Sequence, residues 1–371
     1  MNEYFRISFI CLIGIMLSSW HFKNVDFKLN NIIYQNKPQN IIDEINKQGD
    51  TSGFVLTVYS GKQKIGWFCQ NDSTYYLRDY TKGKGIITLH GNRNLNADYI
   101  SCSPQWNLDS SEQYALDVHY GVSQTYLFYK KLFNRNSIDD NGYAIYSYVN
   151  DTNTPNNAIW DGAALRFGIQ TSTNKCISSL DIIGHELTHA IISYTSGLHS
   201  GGESGAVCES ICDIMGKSIE FWSNPNDSNW IISSKMNFEV RDLSKPKKFK
   251  QPDTYKDPVY WYTGSSTEKN DHTNSCIGNY MFYLLAHGGS GRNSFGKSYQ
   301  VTGIGLGAAD SIIYRTVTVY LKSDAQYCDW RDACLKAVVD IYGTNSNQFK
   351  STAAAWAAVN VPSCEQLYQS K

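Results

Sequence analysis

Residues 185–189 read His-Glu-Leu-Thr-His and lie inside an apolar stretch. Apolar side chains recur there at helical spacing from about residue 179 to 194, and Gly197 follows as a typical helix stop, so the pattern predicts a helix. Residues four apart lie on one face of a helix, one turn from each other. The imidazoles of His185 and His189 can therefore bind one Zn²⁺ together.

Glu186 is adjacent to a candidate ligand but lies on a neighbouring line of the same helix. Zn²⁺ lowers the pKa of a water that it binds, and a nearby carboxylate can take the proton of that water and deliver it later. This role suits Glu186 as a general base. The alternative is that His185 and His189 are two structural histidines on an amphipathic helix.

A catalytic zinc needs a third protein ligand and an open fourth position. Glu209 follows His189 by twenty residues, and Asp213 follows Glu209 by four on a second predicted helix. Glu209 suits the third ligand, and Asp213 suits the carboxylate that orients a ligating imidazole through its other nitrogen. The alternative, two acids on an exposed surface, is disfavoured because the residues between them are apolar or small.

Peptide hydrolysis passes through an oxyanion, which requires a hydrogen-bond donor beside the metal. His272 is the candidate donor, and we expect it to open a helix. Asp271 or Glu268 would keep its imidazole protonated.

Composition excludes several classes of protein. The chain has 371 residues, 42% of them hydrophobic and 18% charged, with a net charge of −1. This indicates a globular protein, and a lysine cluster at residues 245–248 is interpreted as a solvated loop. We therefore expect no nucleic-acid partner and no stable membrane insertion, and we expect a monomer.

The N-terminus predicts secretion. Arg6 precedes an apolar run over residues 7–17, and Ser18 and Ser19 follow. A short charged start, about ten apolar residues and a small-residue cleavage zone are typical of a signal peptide, and the run is shorter than the ~20 residues that span a bilayer. We expect a signal peptide at residues 1–19, a short linker or remnant pre-segment at 20–52, and an extracellular location.

Ten cysteines are present, and nine would remain after loss of the signal peptide. An oxidising compartment favours disulfides among them, and an odd number leaves at least one thiol unpaired within the chain. Proximity in sequence suggests the pairs Cys328–Cys334 and Cys69–Cys102.

The hydrophobic pattern changes along the chain from strands to helices. Strands are predicted at about residues 54–59, 73–78 and 85–89. After the zinc helix the chain is expected to be almost entirely helical. The predicted helices lie at about residues 112–132, 179–194, 203–222, 274–287, 307–321, 329–342 and 348–359.

With these motifs, the chain resembles the thermolysin-like neutral metallopeptidases, and the resemblance extends from about residue 73 to 361. Besides the motif residues, the resemblance is carried by the stretches at 73–77, 156–160, 181–184, 194–198 and 262–264. It implies an α+β fold of two domains with an active-site cleft between them and the zinc helix at its base. The β-rich N-terminal domain would cover residues 53–198 and the α-helical C-terminal domain residues 199–371.

The resemblance also implies residue roles. One zinc ion would be bound by His185, His189 and Glu209, with Glu186 as the base and His272 as the oxyanion donor. The substrate chain would be held by Asn157, the Ala158 backbone and Arg241. Bulky apolar side chains after the scissile bond would enter a pocket that includes Ile182 and Val240, and peptides or proteins would be the substrates.

Some positions differ from the family pattern. Ser200 stands where a tyrosine usually assists the oxyanion, and Thr267 stands where an aspartate usually supports the catalytic histidine, a role that Asp271 could take. Asp181 and Glu220 remain from a calcium site whose later acids are missing. Because Ca²⁺ needs six to eight oxygen ligands, we expect one weakened calcium site or none.

Two functions remain open from the sequence. The first is an active secreted zinc endopeptidase, favoured by Glu186, because holding zinc does not require that residue. The second is a non-catalytic descendant that keeps zinc and binds peptides or proteins, favoured by Ser200. An aminopeptidase would need an acidic group for a free N-terminus, and no such motif is found.

Overall fold

The computed structural model describes residues 49–71, 73–91, 97–106, 108–110 and 112–369. The expected signal peptide at 1–19 and most of the pre-segment at 20–52 lie outside these residues. Within them, no helix is both long enough and apolar enough to cross a membrane.

The N-terminal part is rich in β-structure. Its strands are β1 (Asp50–Leu56), β2 (Lys62–Asn71), β3 (Thr74–Tyr76), β4 (Arg78–Asp79), β5 (Ile86–His90), β6 (Ile100–Ser101), β7 (Ile145–Val149), β8 (Ala158–Trp160), β9 (Leu165–Phe167), β10 (Ile169–Gln170) and β11 (Lys175–Cys176). One sheet has the order β1-β2-β3-β6, and a second has the order β4-β5-β7-β9-β8.

The second sheet positions the site. Its strands β5, β7 and β9 run parallel, whereas β4 and β8 pair antiparallel at the two edges. All five residues of β7 are buried, as expected for a parallel strand that is covered on both faces. Helix α1 (Tyr114–Phe133) packs on this sheet and on the next helix. The edge strand β8 lies beside the next helix, which carries the His-Glu-Leu-Thr-His motif.

Helix α2 (Leu180–Ser193) carries the zinc motif and is buried on nearly all sides. It packs most closely on helix α3 (Gly202–Ser223), which carries Glu209 and Asp213. The two backbones lie close together at Gly184 and Gly216. A Cβ added to Gly216 would lie only 2.3 Å from the Asp181 carbonyl oxygen. Glycine at this crossing brings the candidate metal-binding residues of the two helices within reach of one another.

The C-terminal part is mainly helical. Its helices are α4 (Thr267–Asn274), α5 (Cys276–His287), α6 (Leu306–Arg315), α7 (Tyr327–Tyr342), α8 (Asn347–Ala358) and α9 (Cys364–Gln369), with 3₁₀ turns at Ser234–Met236 and Pro246–Phe249 and a π-helical turn at Thr316–Tyr320. This part also contains two hairpins. Strands β12 (Ile231–Ile232) and β13 (Arg241–Asp242) lie between α3 and α4, and β14 (Gly289–Arg292) and β15 (Ser298–Val301) lie between α5 and α6.

Most of the predicted elements are confirmed, with three corrections. The C-terminal part is less purely helical than expected, because of the two hairpins. The first strand begins at Asp50, inside the segment interpreted as a linker. His272 lies in the last turn of α4 and does not open a helix.

The suggested cysteine pairs are wrong. The structure joins Cys328 to Cys364 and leaves Cys69, Cys102 and Cys334 as thiols. Six residues along α7 rise about 9 Å, so Cys328 and Cys334 cannot bridge. Strand β3 separates β2, which contains Cys69, from β6, which ends just before Cys102, and two strand spacings also exceed the reach of a disulfide.

Candidate metal centre and active site

Three side chains from α2 and α3 converge on one point. The Nε2 atoms of His185 and His189 are 3.1 Å apart. Glu209 Oε2 is 3.2 Å from His185 Nε2, and Glu209 Oε1 is 3.3 Å from His189 Nε2. The predicted ligands are therefore adjacent, with one carboxylate facing two imidazoles.

These separations fit a zinc ion. Two donors at about 2.0–2.1 Å from a tetrahedral ion lie roughly 3.3 Å from each other. Among the described residues, Glu209 Oε2 is buried without a hydrogen bond of normal geometry, although two imidazole nitrogens lie 3.2 Å away. A carboxylate oxygen and two nitrogen lone pairs directed at a common point are explained by a cation between them.

Asp213 orients His185. Its Oδ1 lies 3.0 Å from His185 Nδ1, which leaves Nε2 free to face the metal position. The same carboxylate accepts two hydrogen bonds from Arg241 and one from the Asn279 amide. Burial opposes the charge of Asp213, but Arg241 and His185 outweigh it and hold the pKa of this carboxyl below its ordinary value.

A thiol contacts the second histidine. Cys208 Sγ lies 3.5 Å from His189 Nδ1. It contacts the same ring nitrogen of His189 that Asp213 contacts in His185. One turn further along α3, the Cys212 thiol lies within 4.8 Å of ring nitrogens of both His185 and His189. The Cys208 thiol is a weaker hydrogen-bond partner for His189, the second candidate ligand, than a carboxylate would be.

Glu186 is held beside the metal position. Its side chain is buried, and its Oε2 accepts a hydrogen bond of 3.0 Å from the backbone N–H of Trp160 in β8. Burial raises the pKa of this carboxyl above its ordinary value. A raised pKa brings a general base closer to neutral pH, where proton transfer in both directions is efficient.

His272 reaches the same point from the other side. Its Nε2 lies 3.2 Å from Glu209 Oε2, and its Nδ1 lies 2.8 Å from the backbone carbonyl of Glu268. Because a carbonyl only accepts, Nδ1 carries a hydrogen. The Asp271 carboxylate instead accepts hydrogen bonds from the Gly201 N–H and the Asn270 amide, so it anchors the start of α3 and acts on His272 only through space.

A cavity of about 340 Å³ opens next to these groups. Its volume is in the range of binding sites for small ligands or single side chains. His185, Glu186, Arg241 and His272 form its polar wall. The apolar wall contains Ile177, Ile182, Met236, Phe238 and Val240.

The two other substrate-binding candidates lie at the rim of this cavity. Asn157 is exposed, and Ala158 begins strand β8, the edge strand of the five-stranded sheet. An edge strand offers backbone groups to an extended peptide. Arg241 uses Nε and Nη2 to bind Asp213, and Nη1 carries two further N–H groups.

The calcium candidates lie away from the candidate zinc ligands, with Asp181 one turn before His185 and Glu220 eleven residues after Glu209 on α3. Asp181 and Glu220 flank the ammonium group of Lys217, which is fully buried between them. Lys217 was missed from the sequence, although it is the single charged residue in the apolar run at 214–219 of α3. Asn279 and Trp160 were also missed, because only the folded chain brings them to the site, and the contact of Cys208 with His189 was not anticipated although Cys208 adjoins Glu209.

The ligand set and architecture define a class of protein. A β-rich part and a helical part meet at a buried helix, and a His-Glu-x-x-His motif on that helix is completed by a glutamate from the next one. This combination of ligand set and architecture is typical of zinc metallopeptidases.

Family models agree with the structure. The thermolysin metallopeptidase catalytic domain matches residues 52–193, and the thermolysin metallopeptidase alpha-helical domain matches residues 196–361. The chain belongs to the thermolysin metallopeptidase family.

Individual relatives give the same result. The chain is 36% identical over 299 residues to bacillolysin of Bacillus cereus, and this alignment covers 78% of this chain and 51% of that protein. It is 36% identical over 297 residues to thermolysin of Bacillus caldolyticus, covering 77% of this chain and 53% of that protein. The chain thus spans about half the length of the curated relatives it matches.

A solved structure shares the fold. The precursor of protealysin, a metalloproteinase from Serratia proteamaculans, superposes with a TM-score of 0.59 at 20% identity. The match covers 74% of this chain and 87% of that one.

Proposed function

We propose that this protein is a zinc-dependent endopeptidase that cleaves on the N-terminal side of bulky apolar residues. The observation that carries the proposal is the convergence of His185, His189 and Glu209 within 3.3 Å, with the Glu186 carboxyl beside them. Zinc bound by these three residues would supply a Lewis acid that acidifies water and polarises a carbonyl group.

The protein's own groups account for the proton transfers. Glu186 takes a proton from the attacking water, and the same carboxyl then gives it to the leaving amine. The hydrogen bond from the Trp160 N–H holds this carboxyl in place while its protonation changes. His272 would donate to the oxyanion from Nε2 in its imidazolium form, because Nδ1–H is already directed to the Glu268 carbonyl and both ring nitrogens must then carry a hydrogen.

Substrate position and specificity follow from the cavity. An extended peptide would lie along β8 and hydrogen-bond with Asn157 and the Ala158 backbone, and Nη1 of Arg241 would donate to a substrate carbonyl. The side chain after the scissile bond would enter the apolar wall that includes Ile182 and Val240. Burying a side chain of leucine or phenylalanine size there is worth about 1.5–3 kcal/mol.

A non-catalytic, peptide-binding descendant is the second candidate. Ser200 favours it, because this exposed serine replaces a tyrosine that the family resemblance assigns to the oxyanion. The short serine side chain leaves His272 with a larger share of that charge. Loss of one oxyanion donor reduces kcat by about 10²–10³-fold, which slows an enzyme but does not abolish its reaction.

We also propose a secreted location and peptide or protein substrates. The N-terminal pattern of Arg6 followed by the apolar run at 7–17 supports secretion. The disulfide Cys328–Cys364 is consistent with an oxidising compartment. A monomer remains the expected state.

The test is cleavage of a peptide blocked at both ends, with leucine or phenylalanine inside it. We expect cleavage before the apolar residue, loss of activity with a zinc chelator and recovery on adding one equivalent of zinc. A peptide with aspartate at the same position should be cleaved at least tenfold more slowly. Zinc binding without cleavage of any blocked peptide would support the non-catalytic candidate.

A further inference from the structure

Lys217 is an ion-pairing residue in an unusual place. Its side chain is completely buried on α3, one turn after Asp213. An ammonium group has three N–H donors, and three acceptors surround this one. They are Glu220 Oε2 at 2.5 Å, the Ile231 carbonyl oxygen at 2.8 Å and Asp181 Oδ2 at 3.4 Å.

The Asp181 carboxylate is saturated from other directions as well. Its Oδ1 accepts hydrogen bonds from the Ser179 hydroxyl and the Ile182 N–H, and its Oδ2 accepts one of 2.7 Å from the Ser233 N–H. Burial alone would lower the pKa of Lys217, but the charges of Asp181 and Glu220 outweigh it and raise that pKa. The lysine is therefore a cation in the folded protein.

This geometry does not fit a calcium ion. Ca²⁺ requires six to eight oxygen ligands at 2.3–2.6 Å, and three oxygens converge here on a nitrogen that already occupies the position between them. The next acid along the chain, Asp227, is paired with its own cation, Lys235, at 2.7 Å. Two lysines thus neutralise carboxylates that would otherwise attract a divalent ion.

The ammonium also lies at a mechanically important point. Asp181 is on α2, one turn before His185, and Lys217 is on α3, eight residues after Glu209. The Ile231 carbonyl belongs to β12. Lys217 therefore joins the two helices that carry the metal ligands to the hairpin that carries Arg241.

We propose that Lys217 is a built-in structural cation that replaces calcium between Asp181 and Glu220. The junction of α2, α3 and β12 is held without a divalent ion, and the stability of the protein is independent of calcium. This role is separate from the proposed catalysis, because Lys217, Asp181 and Glu220 do not line the active-site cavity.

The test measures thermal unfolding of the full chain in calcium-stripped buffer with one equivalent of zinc, with and without 5 mM CaCl₂. Wild type should show the same Tm in both, within about 1 °C. Lys217→Ala leaves two buried carboxylates without a cation, and its Tm should fall by roughly 5–15 °C. Because the truncation also opens space, CaCl₂ should then restore part of the loss, and MgCl₂ should restore less.

Two further variants keep the test decisive if Lys217→Ala fails to fold. Lys248→Ala removes an exposed lysine that pairs with Glu239 and should leave Tm unchanged. Glu220→Gln keeps the Lys217–Asp181 pair and should remain insensitive to CaCl₂. A wild-type Tm that rises by several degrees with CaCl₂ would overturn the proposal, and loss of that response in Glu220→Gln would show that the ion binds beside Glu220. A Lys217→Ala variant as stable as wild type in calcium-free buffer would also overturn it.

Discussion

Replacing Asp213 by asparagine tests how the metal site is supported. This carboxylate is completely buried and has four contacts, at 3.0 Å to His185 Nδ1, 2.6 and 2.7 Å to Arg241, and 2.8 Å to Asn279. Asparagine keeps the shape but removes the charge and turns one acceptor into a donor. Two quantities should change, the affinity for zinc and the free energy of unfolding.

The two changes have different sizes and causes. Loss of the group that orients a ligating histidine reduces metal affinity by about 10–100-fold, or roughly 1.4–2.7 kcal/mol. Loss of the countercharge leaves the buried guanidinium of Arg241 unpaired, which costs about 3–5 kcal/mol of stability. Adding Arg241→Met to Asp213→Asn should recover much of the stability but none of the zinc affinity.

The assays are zinc competition with a chromogenic chelator and denaturant unfolding of the zinc-loaded and metal-free chains. Asp242→Asn is a matched control, because this buried carboxylate accepts hydrogen bonds only from neutral groups of Ser244 and Lys245 among the contacts described. Its zinc affinity should equal that of wild type. If Asp213→Asn binds zinc within twofold of wild type, the reasoning is refuted.

Three further predictions concern single side chains. Cys208→Ala removes the hydrogen-bond partner of His189 and should weaken zinc binding by about tenfold, whereas Cys208→Asn should retain it; both are measured by the same competition. Burial raises the pKa of Asp310 to about 7, so the folded state keeps a proton between pH 4 and 7 that the unfolded state loses, and the free energy of unfolding falls as pH rises through that window. Asp310→Asn should keep the hydrogen bond from Ser218. In denaturant titrations the variant should be more stable than wild type at pH 8, by on the order of 2–4 kcal/mol, and equally stable at pH 4. The same difference in stability at both pH values would contradict this. Cys364→Ser opens a disulfide that closes a loop with a sequence separation of 36 and should cost about 4 kcal/mol, so a Tm equal to that of the oxidised wild type would show that the bond adds nothing.

The sequence predicted the parts of the site whose spacing is local. His185 and His189 lie one turn apart, and Glu209 and Asp213 do too, so helical periodicity was sufficient to place each pair on one face. The approach of α2 to α3 was not predictable from periodicity, because it depends on Gly184 and Gly216 at the crossing. The resemblance to a known family supplied that step.

Short buried strands were harder to predict than helices. Strand β7 reads Ile-Tyr-Ser-Tyr-Val and is buried throughout, so no alternation of polar and apolar residues marks it. Strand β8 has three residues, too few for any period, although it supplies the N–H that holds Glu186. Disulfide pairing was wrong for a related reason, because Cys328 and Cys364 meet only after α7 and α9 have packed.

Buried charge carries information that periodicity does not. Lys217 interrupts the apolar face of α3, four residues after Asp213 and three before Glu220. A lysine in a buried run must find acids, because an unpaired ammonium in the interior is prohibitively costly. Such a residue beside candidate calcium ligands is a signal that the site holds an internal cation, and it can be searched for in other sequences.

The central claim is that Glu186 acts on water at a zinc site formed by His185, His189 and Glu209. It is tested most directly by comparing wild type with Glu186→Gln, with zinc content and cleavage of the doubly blocked peptide measured on the same samples. Glutamine can still accept the Trp160 hydrogen bond but cannot take a proton. The account predicts one zinc per chain in both proteins and a loss of kcat of at least 10³-fold in the variant, with KM changed by less than about threefold. Equal cleavage by both proteins, or equal inertness at one zinc per chain, would contradict it.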